Sequence, residues 1–150
     1  MMKNKHIHAH MKSAFNYADC STAKRLKVGC VLVKDDRIIS IGYNGMPSGW
    51  TNECEDTTLW KDDKQLLQPL LVTKPEVLHA EENAITKLAK STESGEGATA
   101  FITHAPCLSC SKLLHGAGII EVYYVHPYRD TKGLEFLQKC RVFLKVISIT

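Results

Sequence analysis

His79-Ala80-Glu81 and, about two dozen residues later, Pro106-Cys107-Leu108-Ser109-Cys110 are the parts of this chain whose types and spacing could do chemistry. One imidazole and two thiols make three good zinc ligands, and Glu81 adds a carboxylate that need not be a fourth. A structural zinc is normally closed by four protein ligands, whereas a catalytic one keeps a place open for water beside a proton-carrying group. Three ligands and a carboxylate therefore point to metal-assisted hydrolysis. The competing reading is a closed zinc knot completed by Cys54, His104 or another residue.

The spacing constrains the geometry. Cys107 and Cys110 lie three apart at the start of a predicted helix, so one turn brings both sulfurs to one face. Pro106 suits a first helical turn, where its missing N–H has no intrahelical partner. The N-terminal end of a helix also favours thiolates. His79 and Glu81, two apart, would be turned roughly 200° from each other on a helix and could not share a mid-helix face. At a helix N-terminus, however, the imidazole can approach from one side while Glu81 curls around the open end. Two helix N-termini are thus expected to converge on the metal.

The elements that must position these groups follow from hydrophobic patterning. A first helix is expected from about Met11 to Cys20, after a polar, flexible stretch (1–10) in which His6, His8 and His10 alternate. Val28-Gly29-Cys30-Val31-Leu32-Val33 and Arg37 to Tyr43 are β-branched runs around Lys34-Asp35-Asp36 and read as a hairpin. Residues 46–78 form a long polar segment that contains Trp50 and Trp60. It is too long for an ordinary connection and should serve as a wall or lid. Then come a helix at about Leu78 to Lys90, a strand at Ala98 to Thr103 and a helix at Pro106 to Ala117. A strand at Ile120 to Val125, a helix at Thr131 to Cys140 and a strand at Val142 to Ile147 complete the chain. Strand, helix, strand with short connections implies parallel crossovers at the C-terminus, while the early hairpin is antiparallel. The expected architecture is a single α/β domain over residues 1–150, a five-stranded mixed sheet with helices on both faces.

Composition narrows the partners. With 19 basic and 16 acidic residues the formal charge is +3, too balanced for a polybasic nucleic-acid binder but compatible with a small anionic ligand. No apolar run approaches the roughly 20 residues that span a bilayer. The six cysteines lack a secretory context and are expected to stay reduced in a soluble, cytoplasmic protein, with only Cys107 and Cys110 at ligand spacing.

His-x-Glu followed by Pro-Cys-x-x-Cys is also the signature of zinc nucleobase deaminases. Around it, Lys27-Val28-Gly29-Cys30-Val31-Leu32-Val33, Gly42-Tyr43-Asn44-Gly45-Met46-Pro47-Ser48-Gly49 and His79-Ala80-Glu81-Glu82-Asn83-Ala84-Ile85 resemble the deoxycytidylate (dCMP) deaminases of the cytidine deaminase superfamily. The resemblance implies a three-layer α-β-α fold and hydrolysis of dCMP to dUMP and ammonia. Zinc would be held by His79, Cys107 and Cys110, with Glu81 carrying the proton. It further implies that Ala80 offers its N–H to the base, Val28 lines the base pocket, Asn44 bonds the sugar and Tyr128 stacks on the pyrimidine. Arg25 leads the candidates for the phosphate, with Lys24 and Lys27 behind it. Regulation by dCTP as activator and dTTP as inhibitor, with Mg²⁺ accompanying the triphosphate, would involve Gly42, Tyr43, Asn44 and Gly45. A homohexamer is the assembly the resemblance suggests. The main alternative substrates are another nucleoside, a free base or a nucleic acid, and a non-catalytic zinc-stabilised nucleotide sensor is a third possibility.

Overall fold

The computed structural model describes residues 2–149. Along the chain run α1 (Asn4–Ala18), β1 (Gly29–Lys34), β2 (Arg37–Tyr43), β3 (Glu55–Lys61), β4 (Leu67–Thr73) and α2 (Ala80–Ala89). They are followed by β5 (Thr99–His104), α3 (Leu108–Gly116), β6 (Glu121–His126), α4 (Lys132–Lys139) and β7 (Phe143–Val146). The main sheet has the order β2-β1-β5-β6-β7. β1 is antiparallel to β2 and β5, while β5, β6 and β7 are parallel. This is the five-stranded mixed sheet expected from the sequence.

The period of two along β1 and β5 divides the interior into two cores. Val31, Val33 and Phe101 pack with Ile7, Met11 and Ala14 of α1 on one face. Leu32, Ala100 and Ile102 pack on the other with Ala80, Ala84 and Leu88 of α2, Leu114 of α3 and Leu137 of α4. The central strands are buried on both sides, and the layers are α-β-α.

Two expectations need correction. The first helix begins at Asn4, not near Met11, and residues 4–10 belong to it. Ile7, Met11, Ala14 and Ala18 form its buried stripe, and Asp36 in the β1–β2 turn holds the ring nitrogens of both His6 and His10. Segment 46–78 is likewise more than a loop, because β3 and β4 pair within it as a separate antiparallel sheet. That hairpin leaves Leu59, Trp60, Leu67 and Leu70 exposed. The other boundaries fall close to those expected. Among the described residues no helix is long and apolar enough to cross a membrane, and all six cysteines are free.

Two glycines set the spacing between layers. A methyl group at Gly29 would collide with the Ala14 carbonyl of α1, and one at Gly42 with the Ala80 carbonyl and the Ala84 N–H of α2. Gly42 therefore allows the first turn of α2 to lie directly on β2. Backbone on backbone cannot relax as a side chain can, so Gly42→Ala is expected to destabilise the protein by about 2 kcal/mol or more. Gly45→Ala, where a methyl would meet open space, should stay within about 0.5 kcal/mol of wild type. Urea denaturation midpoints of the two variants check this.

Candidate active site

His79 is the residue at which α2 starts. Its backbone is extended, and its N–H donates to the Glu82 carboxylate at 3.0 Å, so one free helix donor is satisfied from within the first turn. Cys107 holds the same place before α3, again with extended backbone. Pro106 therefore lies just outside the helix and not in its first turn. Both helix N-termini point at one spot, as the spacing argument required.

There, His79 Nδ1 lies 3.3 Å from Cys110 Sγ and 3.7 Å from Cys107 Sγ. The three ligand atoms all fall within 4.8 Å of one another, and among the described residues no fourth His, Cys, Asp or Glu joins the group. A tetrahedral zinc with Zn–N of about 2.05 Å and Zn–S of about 2.3 Å separates N from S by roughly 3.5 Å. The donor set therefore fits zinc in both spacing and chemistry, and it is of the open, three-ligand kind. Neither Cys54 nor His104 closes it.

The three ligand atoms share protons closely with one another. Hydrogen bonds from Cys110 and His79 push the Cys107 thiol down to about 4. Cys110 is pushed up, chiefly because it holds the proton shared with Cys107. The hydrogen bond to Cys107 raises His79 to about 9. Glu81, one residue inside α2 and only 4% exposed, is raised to about 7 by burial. A carboxyl group near 7 can take and return a proton at neutral pH, which an ordinary exposed glutamate does poorly.

The site opens into a cavity of about 650 Å³. Val28, Asn44, Ala80, Glu81, His79 and Cys107 line it, and so do Arg25 and Tyr128. Hairpin β3–β4 contributes Glu55 and Thr73, which face each other at its open end, so the long segment serves as a wall. Arg25 is positioned by that wall. Its N–H and that of Lys24 donate to Glu55, and its guanidinium donates to Thr73 Oγ1 at 2.9 Å. Asn44 braces the same loop: its side-chain oxygen accepts from Val28 N–H at 2.9 Å and its amide donates to the Leu26 carbonyl at 2.7 Å.

Lys24 and Lys27 are exposed and lie outside the cavity lining. Gly42 is buried in β2 against α2. Tyr43 accepts from the Asn83 side chain through its carbonyl, and Gly45 exchanges backbone hydrogen bonds with Leu78, next to His79. Sequence reasoning missed Arg129 and Glu55 and weighed His104 only as a metal ligand, yet all three line the cavity. The one available signal for Arg129 was its place beside Tyr128.

The three ligands predict one zinc per chain by elemental analysis. His79→Ala or Cys107→Ser should lower the bound metal to well under half an equivalent, while Glu81→Gln keeps it.

Comparison with known proteins agrees with this geometry. The sequence model of the cytidine and deoxycytidylate deaminase zinc-binding region matches residues 4–126. ComE operon protein 2 of Bacillus subtilis is 37% identical over 73% of this chain and 53% of its own. The deoxycytidylate deaminase of Saccharomyces cerevisiae is 34% identical over 93% of this chain and 44% of its own. The chain thus spans about half the length of these two curated relatives. It superposes on the crystal structure of dCMP deaminase from the cyanophage S-TIM5 in complex with dCMP and dUMP with a TM-score of 0.86. That match has 41% identity and covers 98% of this chain and all of the other. Because the matched region takes in His79, Glu81, Cys107 and Cys110 together with the strands and helices that carry them, the chain belongs to the cytidine and deoxycytidylate deaminase family.

Proposed function

We propose that this protein hydrolyses dCMP to dUMP and ammonia. The observation that carries the reading is the pairing of a buried Glu81 beside the His-Cys-Cys group with a cavity lined by two arginines, Arg25 and Arg129. The first half is equipped for deamination and the second for a phosphate, so a nucleotide fits better than a nucleoside. Several relatives are named deoxycytidylate deaminase, the S-TIM5 protein among them, which supports the same substrate.

His79, Cys107 and Cys110 would hold a zinc ion, which would supply a Lewis acid able to lower the pKa of water toward neutrality. Glu81 takes the proton of the attacking water and delivers it to pyrimidine N3, which makes C4 more electrophilic. It then takes the remaining proton of the hydroxyl now on C4 and passes it to the amino group; C4=O forms as the C4–N bond breaks, so that water and dCMP become dUMP and ammonia. Ala80 N–H holds the base carbonyl, and its methyl side chain leaves room for the ring. Val28 lines the base pocket, Tyr128 covers the pyrimidine, Asn44 reaches the sugar while bracing the 26–28 loop, and Arg25 and Arg129 hold the phosphate.

Zinc-loaded protein offered dCMP, CMP, deoxycytidine and single-stranded DNA separately, with ammonia followed, tests the substrate. The expected kcat/KM for dCMP exceeds that for deoxycytidine about a hundredfold or more. Equal values would remove the phosphate site, and Glu81→Gln should lower kcat about a thousandfold.

Regulation by dCTP and dTTP with Mg²⁺ belongs to the same reading. Tyr43, Asn44 and Gly45 connect β2 to Val28 on one side and to Leu78 and His79 on the other, a short path from an effector to the site. The exposed apolar side chains of β3–β4 support burial in an assembly, taken here as a homohexamer. With Mg²⁺ present, dCTP should lower and dTTP raise half-saturation for dCMP at least about fivefold, with six chains per particle by light scattering. Superimposable dCMP curves would discard the regulatory part alone.

A further inference from the structure

His104 ends β5 and lines the cavity without belonging to the metal group. Its protonation pattern is set by its neighbours. The Thr103 side chain is fully buried, and its oxygen already accepts from Gly29 N–H at 3.1 Å. A buried hydroxyl must place its own hydrogen somewhere, and the acceptor within reach is His104 Nδ1 at 2.8 Å. Among the described residues no protein group bonds the other ring nitrogen. The chain of bonds therefore runs from Gly29 through Thr103 to His104 and leaves an Nε2–H available at the cavity.

The surroundings say what such a donor can meet. The His104 ring lies 4.8 Å from that of His126, the last residue of β6, and the chain continues from there into Pro127, Tyr128 and Arg129 on the cavity lining. Ala105 N–H donates to the His126 carbonyl at 2.9 Å and ties the two strand ends together. His104 thus stands on the side of the cavity that carries Arg129. Burial, and then the neighbouring His126, push its pKa down to about 4, so the ring is neutral at physiological pH.

We propose that His104 is a specificity residue, a neutral Nε2–H donor to the 5′-phosphate of the nucleotide, completing a phosphate subsite with Arg25 and Arg129. The inference rests on the dCMP reading above. A neutral donor adds a directed hydrogen bond to the phosphate without a third positive charge to desolvate when the cavity is empty of substrate.

The test uses the intact zinc-loaded protein. In ¹⁵N-labelled wild type, the imidazole spectrum should show His104 protonated at Nε2. That resonance should shift on addition of dUMP and stay in place with deoxyuridine. In kinetics, His104→Leu should raise KM for dCMP roughly ten- to hundredfold with a smaller change in kcat, and His104→Gln, which keeps an N–H donor, should recover part of the loss. An Nδ1–H tautomer, an equal shift with deoxyuridine, or an unchanged KM in His104→Leu would overturn the assignment while leaving dCMP turnover by wild type intact. Wild-type protein inert toward dCMP would sink the underlying reading, and the His104 role with it. Should His104→Leu fail to fold, the wild-type spectra still decide.

Discussion

The placement of the α2 N-terminus on strand β2 is the constraint on which the rest of the site depends. Gly42 allows the Ala80 carbonyl to sit against bare backbone, and the Gly45–Leu78 bridge and the Asn83–Tyr43 hydrogen bond hold the register. Only with α2 seated there does His79 reach the sulfurs at the start of α3. The same seating puts Glu81 inside the protein and Ala80 on the cavity lining. Close backbone packing, a steric matter, thus fixes an electrostatic arrangement. This is why a glycine that touches no ligand is as much a part of the site as the residues that do.

The site gathers groups that an ordinary core would exclude. Glu81 is buried, its pKa raised by loss of solvent, beside two cysteines that differ sharply in their hold on a proton. Two helix N-termini aimed at this point offset part of the cost of concentrating negative charge there. Burial raises Glu81 toward neutrality and lowers His104 toward permanent neutrality, since each disfavours its own charged form. One cavity therefore holds a carboxyl poised to exchange protons and an imidazole that does not.

Much of this was legible in the sequence, for identifiable reasons. The β-branched runs and helical stripes of the main sheet and of α2, α3 and α4 follow strong periodicities, and the observed boundaries lie close to those expected. The ligand motif was legible because its two-residue and three-residue spacings make sense only at helix starts. The beginning of α1 was not, because His6, His8 and His10 alternate around Ile7 and hide the apolar stripe that starts there. The packing role of Gly42 was hidden because a glycine needed for close packing and one needed for anion approach look alike in one dimension. Arg129 and Glu55 were invisible for a further reason. Their residue types are those of any solvated surface, and their place at the cavity depends on how the ends of β6 and β3 turn toward it.

The cavity has walls of unequal firmness. One side is backed by the five-stranded sheet and two helices, with their interlocked cores. The other is a two-stranded hairpin with much of its apolar surface in water, tied back through Glu55 to the Lys24 and Arg25 amides and through Thr73 to the Arg25 side chain. A two-stranded sheet has little stability of its own, so this wall depends on those ties. The Arg25 guanidinium, being both a candidate phosphate ligand and a tie to that wall, joins two events: a phosphate that engages Arg25 also bears on how firmly the hairpin is held. Any change in what the Arg25 guanidinium bonds would therefore alter one of the ties that hold this wall.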